Sequence, residues 1–285
     1  MTQFKQALSY DDVLLAPQYS DIESRSEVSL ASELDKDNKF ELPIIASPMD
    51  TVVEAEMALA LAEVGALGVV HRYNTILEQK RMVWNVANAA PSKPVAAAIA
   101  VTGDFMERAE ALYNAGVTIL CVDVAHGHHI MMKDALKRLR RDLPDNVHIM
   151  AGNVATRKGY EDLADWGAHS VRIGIGGGSI CSTRVQTGHG VPTLQSVIDC
   201  AASDRDAKII ADGGLKNAGD IVKALALGAR AVAVGRPYLY GLGAAGEAGV
   251  TRALDILVSA LRRDMALTGV TRLDALTPDF VRKPR

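Results

Sequence analysis

The chain has 285 residues, enough for one large α/β barrel or two ordinary domains with a sizeable core. Hydrophobic residues make up 48%, charged residues 23% and aromatic residues only 5%, the balance of a globular protein in which parallel strands are covered by helices. The net charge of −3 gives no electrostatic case for a nucleic-acid partner, and the widely spaced Cys121, Cys181 and Cys200, with no Cys-x-x-Cys pair, argue against a disulfide framework or a zinc site.

The first residues, Met1-Thr2-Gln3-Phe4-Lys5, lack a basic segment followed by an apolar one, and no run of about 18 apolar residues occurs. A cytoplasmic protein without a membrane segment is expected. Residues 1–40 read as an irregular polar lead-in whose one compact apolar patch, 10–15, packs on the body. From residue 42 a beat repeats: a short β-rich apolar run, a turn, then ten to fifteen residues at helical spacing. The eight apolar runs are 42–49, 67–71, 95–101, 118–124, 148–154, 170–175, 208–211 and 231–234. Helical patterns cover 53–64, 105–114, 131–141, 160–166, 193–202, 218–227 and, at the end, 251–267, several closed by a glycine suited to a helix C-terminus.

Eight strand-helix units without a long linker predict a (β/α)8 TIM barrel, one domain over 1–285 with the lead-in at 1–40 and a C-terminal helix and tail at 249–285. A Rossmann dinucleotide fold is disfavoured because the glycine-rich stretch follows the sixth run, not the first. Barrel active sites form on the loops after the strands. Ser47 and Met49, Asp123 and His126, Asn153, Cys181 and Thr183, Asp212-Gly213-Gly214, and Gly235-Arg236 all stand at or just after such runs.

The glycine-rich stretch runs from Ile173 to Arg184, with four glycines in the five positions 174–178. Such glycines let backbone N–H groups approach an anion, and Cys181 can supply a thiolate nucleophile. On its own the same stretch also fits a tight structural turn with an inert cysteine. The loops carrying Ser179, Asp212-Gly213-Gly214 and Gly235-Arg236 read as a phosphate grip, with Arg236 adding a charge-assisted contact. An isolated arginine is equally often a solvated surface cation. His126, His128 and His129 have poor ligand spacing for a metal, and Cys121 and Cys200 read as packed small hydrophobes.

The run Gly-x-Gly-Gly-Gly-Ser-Ile-Cys-x-Thr-Arg at 174–184, followed by Thr-Gly-His-Gly-Val-Pro at 187–192, resembles the catalytic loop of the IMP dehydrogenase/GMP reductase family. The likeness extends to Leu-Ser-Tyr-Asp-Asp-Val-Leu-Leu-Ala-Pro at 8–17, Ala-Ser-Pro-Met-Asp-Thr-Val at 46–52 and Ala-Gly-Asn-Val-Ala-Thr at 151–156, covering roughly residues 5 to 240. The resemblance implies a purine nucleoside monophosphate substrate attacked at C2 by Cys181, with Thr183 beside it. It further implies that Asp212 holds the ribose, that Ser179, Gly214 and Gly235 meet the phosphate, and that Asn153 and Arg172 position the base or the cofactor. Ser47, Met49 and Gly178 join this substrate-binding set. Asp123 and His126 match the segment along a nicotinamide cofactor, NADP or NAD. The carbonyls of Gly176, Gly178 and Cys181 match a monovalent-cation site, for which K+ is the expected ion, and relatives imply a homotetramer.

The pattern breaks after Val234. The base-binding hairpin and the Arg-Tyr flap of IMP dehydrogenases are missing, as is a regulatory insert after the second strand. Glu247 stands at the spacing of the glutamate in the family's glycine-rich turn, and Thr183 with Glu247 could relay a proton to departing ammonia if Glu247 approaches the loop. Residues 235–270 also resemble the end of FMN-dependent α-hydroxy-acid oxidases, where a Gly-Arg pair grips the flavin phosphate. The expectation is a GMP reductase (GMP plus NADPH to IMP plus ammonia). The alternatives are an IMP dehydrogenase (IMP plus NAD to XMP), an FMN-dependent oxidoreductase or a non-catalytic nucleotide-binding protein.

Overall fold

A computed structural model describes residues 6–178 and 182–284. Eight parallel strands close into a barrel: β1 (Ile44–Ala46), β2 (Leu67–Val70), β3 (Ala96–Ile99), β4 (Ile119–Asp123), β5 (His148–Val154), β6 (Ser170–Ile173), β7 (Lys208–Asp212) and β8 (Ala231–Val234). Each pairs with its chain neighbours, and β8 pairs with β1 to complete the ring. The expected TIM barrel is the observed fold.

The strands are apolar throughout because both of their faces are buried. Ile45, Val69, Ala98, Cys121, Met150, Ile210 and Ala233 pack together inside the ring, while Ile44, Val70, Ile99, Val122, Val171 and Val232 meet the helices outside. Full burial of one such Val or Ile side chain is worth about 1.5–3 kcal/mol. A short antiparallel pair, Ser32–Glu33 with Lys39–Phe40, closes the N-terminal end, and Leu34 and Phe40 enter the inner cluster there. His148 ties this plug down, its Nδ1 2.5 Å from Asp35 Oδ2 and its Nε2 2.8 Å from Ser170 Oγ.

The outer layer comprises α1 (Ala55–Glu63), α2 (Ile76–Ala89), α3 (Phe105–Tyr113), α4 (Ile130–Asp142), α5 (Arg157–Asp165), α6 (Ser182–Thr187), α7 (Thr193–Ala201), α8 (Ala218–Ala226) and α9 (Arg236–Leu267). The sequence pattern names no helix between β2 and β3. The reason is that the buried stripe of α2 carries a polar residue, Gln79, ahead of Val83 and Val86. Its Nε2 donates to the Ala98 and His71 carbonyls at 2.8 and 3.0 Å, and its Oε1 accepts from Arg108 at 2.9 Å. The start of α2 was nonetheless written in the chain, as the Thr75/Glu78 capping box.

A second difference lies at the end. The expected helix at 251–267 is the second arm of α9, which begins at Arg236 and breaks at Ala245–Gly246, where Gly246 has φ +59°. The arms meet backbone to backbone at Gly241 and Gly249, where a Cβ on either residue would strike the carbonyl of the other. Beyond α9 the chain returns to the lead-in, and Val281–Arg282 pair antiparallel with Leu14–Leu15. Among the described residues, no helix is long and apolar enough to cross a membrane.

Candidate active site

The mouth of the barrel gathers polar side chains from strands that are otherwise apolar. Asp123 and Asp212 end β4 and β7, and Ser47 follows β1, its carbonyl accepting from the Tyr238 hydroxyl at 3.2 Å. On β5 the pairing with β6 shifts between Gly152 and Val154, leaving Asn153 as an extra residue. Such a bulge re-aims its side chain. Asn153 Nδ2 accordingly donates at 2.8 Å both to Asp212 Oδ2 and to the Gly174 carbonyl.

Arg172, on β6, is the hub. Its Nε and Nη2 donate to Asp212 Oδ2 at 3.0 and 2.6 Å, and its Nη1 donates to Asp123 Oδ1 at 2.5 Å and to Cys121 Sγ at 3.5 Å. Burial alone would disfavour the charged guanidinium, but Asp212 and Asp123 outweigh it and hold its pKa well above the ordinary arginine value. Burial pushes the Cys121 thiol up to about 12 against the pull of Arg172, and burial raises Cys200 on α7 to about 12 as well. Neither is a thiolate near neutral pH. Cys121 is not a purely apolar filler, since it accepts from the guanidinium.

The loops after β7 and β8 form the other wall. Gly213 and Gly214 both take left-handed backbone conformations, φ +89° and +80°, that a side chain would resist, and a Cβ on Gly213 would lie 3.5 Å from the Gly178 nitrogen. Gly235 caps α9, Arg236 is its first residue and Pro237 follows, so free backbone N–H groups and one guanidinium share a helix N-terminus. Met49 comes to Gly235, with Sδ 3.9 Å from where a Cβ would stand. Ser179 and Cys181 lie outside the described residues.

The third part is a cavity of about 620 Å³ over the loops after β4, β5 and β6. Ala125, Val154, Ala155, Ile175 and Val191 make its lining largely apolar, and His126, Thr156, Thr183 and His189 add polar edges. His128 also lines it and is paired with Asp162, its Nε2 2.8 Å from Oδ2, whereas His129 caps α4 by accepting the Met131 N–H. Among the described residues, no group of three His, Cys, Asp or Glu side chains could hold a metal ion. The carbonyl set of Gly176, Gly178 and Cys181 includes a residue outside the described ones.

Glu247 and Thr183 line different cavities. The break at Ala245–Gly246 turns α9, and Glu247 opens the second arm, exposed, in a cavity of about 380 Å³ with Thr51, Glu54, Arg81 and Leu242. The expected proton relay from Thr183 to Glu247 thus joins residues that line two separate cavities. Tyr238, which the sequence reading did not single out, is fully buried under the mouth. Its only sequence signal is its place two residues after the Gly-Arg pair.

Residues 7–251 match the family model described as IMP dehydrogenase / GMP reductase domain. Inosine-5'-monophosphate dehydrogenase of Nitrosopumilus maritimus is 31% identical, over 82% of this chain and 75% of its own length. GMP reductase of Vibrio parahaemolyticus is 37% identical, over 80% of this chain and 67% of its own. The crystal structure of GMP reductase from Trypanosoma brucei in complex with guanosine 5'-triphosphate superimposes with a TM-score of 0.87 at 27% identity, covering 98% of this chain and 97% of that one. The barrel, the mouth built from its strand ends and these matches place the chain in the IMP dehydrogenase/GMP reductase family of NAD(P)-dependent oxidoreductases acting on purine nucleotides.

Proposed function

We propose that the chain is a reductase of the GMP reductase type, converting GMP (or its deoxy form), NADPH and a proton to IMP, NADP and ammonia. In this reading the Cys181 thiolate adds to C2 of the base, the exocyclic amine leaves with a proton, and C2 receives a hydride as the carbon–sulfur bond breaks. The dinucleotide supplies that hydride when bound. Asp212 takes the ribose hydroxyls, and Gly214, Gly235 and Arg236 take the phosphate with Ser179. The largely apolar cavity edged by His126, over the loop that follows Asp123, fits a nicotinamide and its ribose. Thr183, on its edge, relays the proton to the departing amine. NADP as the dinucleotide and a homotetramer as the assembly follow the family resemblance.

The observation that carries the direction is the course of the chain after β8. It runs straight into α9 and then into the strand paired with Leu14–Leu15, so residues 236–267 are taken up by the two arms of that helix and the break between them. A dehydrogenase must hydrolyse its covalent adduct with water activated by a positioned base. A reductase needs only a proton for ammonia. The relatives named inosine-5'-monophosphate dehydrogenase keep the opposite direction as the second reading. Absorbance at the reduced-nicotinamide band decides: GMP with NADPH should consume the band, and IMP with NAD should scarcely generate it. XMP formation faster than GMP reduction would reverse the assignment.

The phosphate grip has its own test. Arg236→Ala should weaken binding of a nucleoside monophosphate by about 1.5–3 kcal/mol, the worth of a hydrogen bond to a charged group. Nucleoside binding should be nearly unchanged. Equal losses for the two ligands by calorimetry would place Arg236 away from the phosphate.

A further inference from the structure

Asp123, Arg172 and Asp212 come from three strands, and their formal charges sum to −1 at the mouth of the barrel. The Arg172 side chain is 7% exposed, against 20% for Asp123 and 13% for Asp212, so the guanidinium lies beneath two carboxylates that reach the opening. Each carboxylate commits one oxygen to it. Asp212 Oδ2 accepts Nε, Nη2 and the Asn153 amide, and Asp123 Oδ1 accepts Nη1. Asp212 Oδ1 keeps one long contact, 3.5 Å to Ser47 Oγ, and Asp123 Oδ2 has no hydrogen-bond donor among the described residues.

We propose that Arg172 is a positioning residue shared by the two ligand subsites: from below, it turns one free oxygen of Asp212 toward the nucleotide and one of Asp123 toward the dinucleotide. By cancelling one of their charges it also lets two anionic ligands enter together. The identity of the ligands rests on the proposed function. A planar fork serves acceptors on both sides in a fixed geometry, which a lysine ammonium on a flexible stem does not impose. Four hydrogen bonds tie the guanidinium to Asp212, Asp123 and Cys121, so its effect on either ligand runs chiefly through the carboxylates. Among the described residues, the other titratable groups facing the cluster are the Cys121 thiol and the Tyr10 and Tyr238 phenols, all held protonated by burial. The three charged side chains therefore set the count.

Charge rescue in the full chain is the test. Arg172→Gln takes the cluster from −1 to −2, and adding Asp123→Asn returns it to −1. Binding of a purine nucleoside monophosphate, without dinucleotide, is measured by calorimetry at pH 8 and 5.5. Each value is referred to the unchanged protein at the same pH, which cancels the titration of the ligand. The single variant should lose about a hundredfold in affinity at pH 8. It should recover part of that loss at pH 5.5, where one proton restores the count. The double variant should bind within about tenfold of the unchanged protein, with little dependence on pH. Should the single variant precipitate, a soluble, nucleotide-binding double variant supports the assignment. A double variant that precipitates too, or binds no better than the single one at either pH, overturns it in favour of a steric role for Arg172. Failure of the unchanged protein to bind any purine nucleoside monophosphate would instead sink the proposed function. Charge rescue would then be read from thermal unfolding, where a double variant no more stable than the single one overturns the shared-charge role.

Discussion

Replacing Cys181 with alanine is expected to abolish turnover while leaving nucleotide binding within about tenfold, or roughly 1.4 kcal/mol. Of the three cysteines, Cys181 is the one proposed to add to C2. Cys121 and Cys200 are fully buried, and their thiols are pushed up to about 12. Neither presents a thiolate to a substrate at neutral pH. Cys181 instead follows four glycines, whose loop packs between the ends of β6 and β7. Binding should survive its loss because the proposed contacts to ribose and phosphate lie elsewhere, at Asp212, Gly214, Gly235 and Arg236. Steady-state turnover and calorimetry on the same preparation separate the two effects. Undiminished turnover would remove the covalent route.

Asp212→Ala should be the most damaging single change at the mouth, and it should fail in two ways. Asp212 Oδ2 is the acceptor of three donors, two from Arg172 and one from Asn153. Its removal leaves a guanidinium with only 7% of its side chain exposed and one of its two carboxylates gone. Breaking a buried pair from one side costs about 3–5 kcal/mol, because the remaining charge stays buried without its partner. Denaturant unfolding should show a loss in that range, and calorimetry should show no measurable nucleotide binding. Asp212→Asn, which keeps an acceptor oxygen for the guanidinium, should be milder in stability. A loss below about 1 kcal/mol for Asp212→Ala would mean that Asp123 alone satisfies Arg172.

The barrel was legible because its strands are continuous apolar runs separated by helical periodicity, and each of the eight runs coincides with an observed strand, β7 alone passing the end of its run, by one residue. The placement of Asp123, Asn153 and Asp212 at strand ends was legible for the same reason. What escaped the pattern is polar or tertiary. Helix α2 was hidden by Gln79 at a core position, and the first arm of α9 by Gly241, Gly243 and Gly246, which read as loop. The Arg172 fork joins residues 40 and 49 positions apart, and no local spacing encodes such contacts. Arg172 entered the candidate site by family resemblance, with the base or cofactor as its object, whereas its described contacts are carboxylates and a thiol. That Glu247 and Thr183 line different cavities was equally invisible.

The bulge at Asn153 reaches beyond its own hydrogen bonds. Side chains along a strand alternate between two faces, and Met150 lies in the inner cluster of β5 while Ile149 and Ala151 belong to the outer one. Strict alternation would carry Asn153 outward among the helices and bring Val154 inward. The extra residue resets the parity: Val154 packs in the outer cluster, and the Asn153 amide turns to Asp212. The feature is therefore a matter of residue count as much as of residue type. Restoring even pairing by deleting one position of β5 would exchange an amide for an isopropyl group at the mouth without altering any other letter of the strand.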